Sequence, residues 1–120
     1  MLTGLHHLQI AIPAGGESVA RAFYGGLLGL PEVPKPSQLA GRGGVWFEQE
    51  GLRVHLGVDP DFVPARKAHP AFLVGDLGSL ITVFERNGVA LMHDAPVAGF
   101  ERIFVSDPFG NRIELMQPDE

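Results

Sequence analysis

The sequence predicts an α+β fold: two βαβββ modules, about residues 1–62 and 63–120, in one domain of 120 residues. Their mixed sheets are expected to form a partly closed cleft with the helices on its outer face. Three observations predict this. Gly51-Leu52-Arg53-Val54-His55-Leu56 is echoed by Gly110-Asn111-Arg112-Ile113-Glu114-Leu115, which is an internal repeat. Apolar residues alternate in short runs, so each strand has one apolar face. Each half holds one stretch with helical apolar spacing, enough to cover one face of a sheet and leave the other open.

The elements follow in order. Leu5 to Pro13 alternates, with Leu8, Ile10 and Ile12 on one face and His7, Gln9 and Ala11 on the other. His6 falls on the helix-facing side. After the turn at Ala14-Gly15-Gly16, Glu17 or Ser18 begins a helix with Val19, Ala22, Phe23, Leu27 and Leu30 as its apolar stripe. Gly25-Gly26 weakens it by roughly 1 kcal/mol per glycine, which suggests close approach to the sheet. Residues 31–44 give only an irregular edge segment. Val45 to Gln49 and Arg53 to Val58 form a hairpin around Glu50-Gly51, with Arg53, His55 and Gly57 opposite Val54, Leu56 and Val58. Asp59 to Lys67 links the halves.

The second half repeats the order. His69 to Gly75 is a strand, and Asp76 caps a helix over Leu77 to Asn87 that Gly88 stops. Leu80, Ile81 and Phe84 are its buried stripe. Val89 to Met92 is a short strand. Arg102 to Val105 and Asn111 to Met116 flank an Asp107-Pro108-Phe109-Gly110 turn.

Composition narrows the function. Net charge is −5 with Lys and Arg scattered, which argues against nucleic acid and against anionic membrane. No cysteine is present, so thiolate chemistry and Cys-type metal sites are excluded. No basic and apolar leader follows Met1 and no apolar run matches a membrane span, so the expectation is a cytoplasmic protein.

Overlaying the halves sets His7 opposite His69 and His55 opposite Glu114. The separations agree: 48 residues from His7 to His55, and 45 from His69 to Glu114. All four fall on the faces away from the helices and are expected to converge as metal ligands. Imidazole and carboxylate donors suit Zn, Ni, Mn, Co or Fe. His6 and His93 have no counterpart and read as structural.

The chain resembles the vicinal oxygen chelate superfamily, which includes glyoxalase I, methylmalonyl-CoA epimerase, fosfomycin and bleomycin resistance proteins and extradiol dioxygenases. The resemblance is carried by Leu5-His6-His7-Leu8, Phe23-Tyr24 with Leu28-Gly29-Leu30, His69, and Asp107-Pro108-Phe109-Gly110-Asn111-Arg112-Ile113-Glu114. It covers essentially the whole chain. It implies one divalent metal ion on His7, His69 and Glu114, with His55 at a fourth position where glyoxalase I has a carboxylate and the epimerase a glutamine.

The implied function is a metal-dependent lyase or isomerase of the glyoxalase type, acting on a small oxygenated metabolite through metal-bound vicinal oxygens. Glu114 would be ligand and base. His55 would be ligand or acid–base group. Arg102 and Arg112 would bind an anion, and Trp46, Phe47, Phe100 and Phe104 would line the cleft. A second reading is a non-catalytic antibiotic-binding resistance protein. A third is an Fe(II) extradiol-type dioxygenase, against which Tyr24 counts because it lies on a helix. The resemblance also implies a homodimer.

Overall fold

The computed structural model describes all residues from Met1 to Glu120 and is an α+β protein with two unclosed sheets. The chain divides into two compact units, Met1–Val63 and Pro64–Glu120.

In the first unit β1 (Leu8–Ile12) leads into a helix, α1, that starts as an α-helix over Glu17–Ala20 and widens into π-helix over Arg21–Leu27. Then come β2 (Glu32–Val33), a 3₁₀ turn at Ala40–Arg42, β3 (Val45–Gln49) and β4 (Leu52–Val58). The sheet order is β1-β4-β3-β2, with β1 parallel to β4 and the other pairs antiparallel. Ile10, Ile12, Val45, Phe47, Val54 and Leu56 are buried on one face, with Ala20, Phe23 and Tyr24 of the helix in the same core. Tyr24 and Phe47 bring helix and sheet together, with ring centroids 6.3 Å apart. A Cβ on Gly25 would lie 3.4 Å from the Phe47 ring, which is the close approach expected of the glycine pair.

The helix differs from expectation in part of its stripe. Val19 is 47% exposed and Ala22 is exposed, whereas Ala20 and Tyr24 are fully buried. The Leu28 amide reaches the Phe23 carbonyl five residues back, so the turn is π rather than α, while Phe23 and Leu30 are buried as expected. The segment expected to be irregular contains β2, paired in register at Glu32↔Phe47 and Val33↔Trp46.

In the second unit β5 (Ala71–Leu73), α2 (Leu77–Arg86), β6 (Phe100–Ser106) and β7 (Arg112–Pro118) make a three-stranded sheet of order β5-β7-β6. Asp76 caps α2 as expected, accepting from the Ser79 amide at 3.0 Å. Ile103, Val105, Ile113 and Leu115 share the core with Leu77 and Phe84. The strand expected over Val89 to Met92 is absent. A single antiparallel bridge, Met92↔Phe104, takes its place, so this half has one strand fewer than the repeat implies. No helix is long and apolar enough to cross a membrane.

Candidate functional site

Alternation along β1, β3 and β4 sets Gln9, Trp46, Glu48 and His55 on the sheet face opposite the core of the first unit. Register makes His55 the shared neighbour, opposite both Gln9 and Trp46. Its ring lies parallel to the Trp46 indole, centroids 3.8 Å apart and planes within 1°. The His7 ring stacks beside it at 4.5 Å. His55 is 3% exposed. Its Nε2 lies 3.1 Å from Glu48 Oε2. An ionised carboxylate only accepts, so the ring proton sits on Nε2 and Nδ1 holds the lone pair. Burial holds the imidazole below its ordinary pKa, Glu48 pulls the other way, and His7 and His6 add to the lowering.

His7 precedes β1 rather than lying in it, and is exposed. Its Nδ1 meets His6 Nδ1 at 3.0 Å, which leaves Nε2 unengaged. His6 is therefore exposed beside His7 and does not face the helix. Sequence reasoning missed Glu48. Its signal was the hairpin register, which pairs Glu48 with Arg53, whose Nε is 3.7 Å from Glu48 Oε1.

In the second unit β6 and β7 display Arg102, Phe104, Arg112 and Glu114 on one face, with Phe104 directly opposite Glu114. His69 lies just ahead of β5, as His7 does ahead of β1. Its Nε2 is 2.9 Å from Glu114 Oε1, and its Nδ1 is 2.9 Å from the Lys67 carbonyl. Glu114 Oε2 accepts from Arg102 at 3.2 Å. Arg102 also donates to the Ala95 carbonyl, and Arg112 pairs with Asp94 at 3.5 Å. Both guanidinium groups pack on the Phe104 ring, at 5.1 Å for Arg102 and 4.0 Å for Arg112. The Nε–H of each is buried without an acceptor. Phe104 is buried at 2% exposure.

The predicted ligands thus come together as two pairs, His7 with His55 and His69 with Glu114. No group of three or more His, Cys, Asp or Glu side chains is gathered to hold a metal ion.

The His69–Glu114 pair fits a cation on its own chemistry. The Lys67 carbonyl accepts only, so Nδ1 carries a proton. Nε2 faces a carboxylate oxygen at 2.9 Å, where a proton makes a hydrogen bond and a metal ion would be held by the same two atoms. Imidazole and carboxylate are ordinary donors to a divalent ion, which His69 Nε2 and Glu114 Oε1 would hold. An outer carbonyl fixing the far ring nitrogen is the usual support of a ligating histidine.

The chain is thus a two-sheet α+β protein with an imidazole–carboxylate pair between the start of β5 and β7. The chain matches the family model described as Glyoxalase/Bleomycin resistance protein/Dioxygenase superfamily over residues 4–115, and it belongs to that superfamily. It is 42% identical to a Bacillus anthracis protein assigned to the glyoxalase family, covering 99% of this chain and 98% of that one, with a TM-score of 0.93. A glyoxalase/dioxygenase from Nostoc punctiforme has the same fold at 23% identity, covering 98% and 92%, TM-score 0.79. So does the fosfomycin resistance protein FosX of Listeria monocytogenes, solved with Mn(II) and sulfate, at 17% identity, covering 99% and 93%, TM-score 0.77. No curated protein matches the chain.

Proposed function

We propose that the chain is a divalent-metal-dependent enzyme of the glyoxalase type, a lyase or isomerase acting on a small oxygenated metabolite. The observation that carries this reading is the 2.9 Å approach of His69 Nε2 to Glu114 Oε1, an imidazole nitrogen and a carboxylate oxygen held face to face. Within the second unit His69 and Glu114 would supply two donors to the ion. When bound, the ion acts as a Lewis acid on vicinal substrate oxygens.

The chain's own residues supply positioning and proton transfer. The Lys67 carbonyl fixes the His69 tautomer. Arg102 holds Glu114 Oε2, which leaves Oε1 as the presented oxygen. Glu48 holds the Nε2 proton of a neutral, buried His55, and such a pair can pass a proton to or from a substrate carbon or oxygen. The edge strands β1 and β2, and β5 and β6, favour association into a homodimer.

The test is a calorimetric titration of tag-free protein with Mn(II), chosen because the Listeria protein holds that ion. Wild type should bind, and Glu114→Gln or His69→Gln should weaken binding at least about tenfold. Wild type that binds none of Mn, Zn, Ni, Co or Fe ends the proposal.

A further inference from the structure

The first unit holds a cleft of about 260 Å³, lined among others by Gln9, Lys35, Arg42 and Trp46. It lies on the face that carries His55, one residue pair farther along the strands, where Ala11 is opposite Gly57. Gly57 opens it: a Cβ there would meet Gln9 Nε2 at 2.5 Å, so the Gln9 amide occupies the space a side chain would take. The Trp46 ring is a wall of the cleft and also the surface on which His55 stacks.

The segment around Arg42 is built to stay in place. Gly43 and Gly44 both have positive φ, and the Gly44 amide donates to Glu17 Oε2 at 2.8 Å. A Cβ on Gly44 would fall 2.2 Å from the Leu56 carbonyl oxygen, so this backbone lies directly against β4. Lys35 donates to the Gly43 carbonyl from the other side. Glu17, whose carboxyl is held below its usual range first by the Gly44 amide and also by Lys35, offsets part of the lysine charge. Arg42 has no ion pair. The cleft therefore has net positive character, a free guanidinium, an amide and an indole face.

We propose that this cleft is an oxyanion seat, taking a carboxylate or phosphate-type group of the substrate. This rests on the proposed function and narrows it: the substrate is a small anion whose charged end lies by Arg42 and whose other end reaches His55 past Trp46. Arg42 supplies the planar fork that suits either anion, and Lys35 and Gln9 supply further donors.

Trp46 is the sole tryptophan, so its fluorescence reports the cleft. Metal-free protein is titrated with inorganic phosphate and, separately, malonate at constant ionic strength. A saturable change is expected, weakened about tenfold in Arg42→Gln, the scale of one lost charge-assisted hydrogen bond. Arg86→Gln, on α2, should leave it unchanged. Tighter phosphate binding assigns a phosphate-type substrate, and tighter malonate binding a carboxylate; both support the seat. No saturable change, or equal affinity in wild type and Arg42→Gln, overturns it. Mn(II) binding is measured on the same samples. Anion binding without Mn(II) binding would remove the metal-enzyme reading and keep the seat, and the reverse would remove only the seat.

Discussion

Replacing Gly44 with alanine puts a methyl carbon where the Leu56 carbonyl oxygen already stands. The separation would be 2.2 Å, against about 3.3 Å for the closest ordinary carbon–oxygen contact. The obstacle is strand backbone, so it cannot swing aside. At φ +86° the new side chain also sits in the left-handed region, which costs about 1–2 kcal/mol for a residue with a Cβ. Forcing a methyl into a filled space adds about 1–3 kcal/mol. The sum is about 3 kcal/mol, or a melting temperature lower by about 10 °C in a domain of this size. The control is Gly41→Ala, where nothing lies within 4 Å of the new Cβ and φ is not positive. Circular dichroism melts of wild type and both variants decide it. If Gly44→Ala melts with Gly41→Ala, within about 2 °C of wild type, the packing of the Arg42 loop on β4 is wrong.

Asp107 Oδ1 accepts from the Phe109 and Asn111 amides, and Oδ2 from the Asn111 side chain, each at 2.9 Å. Asp107→Ala strands these buried donors and should lower stability by about 3 kcal/mol, read by denaturant melts; a change under about 1 kcal/mol would contradict the turn's role. His55 is neutral in the fold because burial lowers its pKa. The unfolded imidazole still takes a proton near its ordinary value, so its contribution to stability is full above about pH 6.5 and declines as pH falls below it. Melts of metal-free wild type should therefore drop more steeply on acidification than those of His55→Gln; equal slopes would contradict this. Arg102→Gln frees Glu114 Oε2 and should weaken Mn(II) binding several-fold while sparing anion binding in the first unit, both read by titration.

Much of this was legible in strand alternation. The faces of β1, β4 and β7 followed from period two, and the frame shared by His55 and Glu114 marked strands whose register sets His55 beside Trp46 and Glu114 beside Phe104. Asp76 was readable as a cap because its bond is local. Four features were not readable, each for a physical reason. Part of the α1 stripe came out differently, Ala22 exposed and Tyr24 buried, because the π turn that spans Gly25-Gly26 breaks the 3.6-residue period that the reading assumed. The Arg42 loop looked irregular because its order comes from contacts with Glu17 and Leu56, distant in sequence. Glu48 was missed because its partner His55 is a diagonal neighbour across the hairpin, where Glu48 pairs with Arg53, and no motif marks that contact. The Val89 to Met92 strand reduced to one bridge, since only Met92 exchanges hydrogen bonds with Phe104.

The central claim is that His69 and Glu114 form a seat for a divalent ion, and anomalous scattering from crystals grown with Mn(II) tests it most directly. The account predicts a peak bonded to His69 Nε2 and Glu114 Oε1, with the Lys67 carbonyl still accepting from Nδ1. Crystals with no peak there, and the two side chains still hydrogen-bonded to each other, would contradict it.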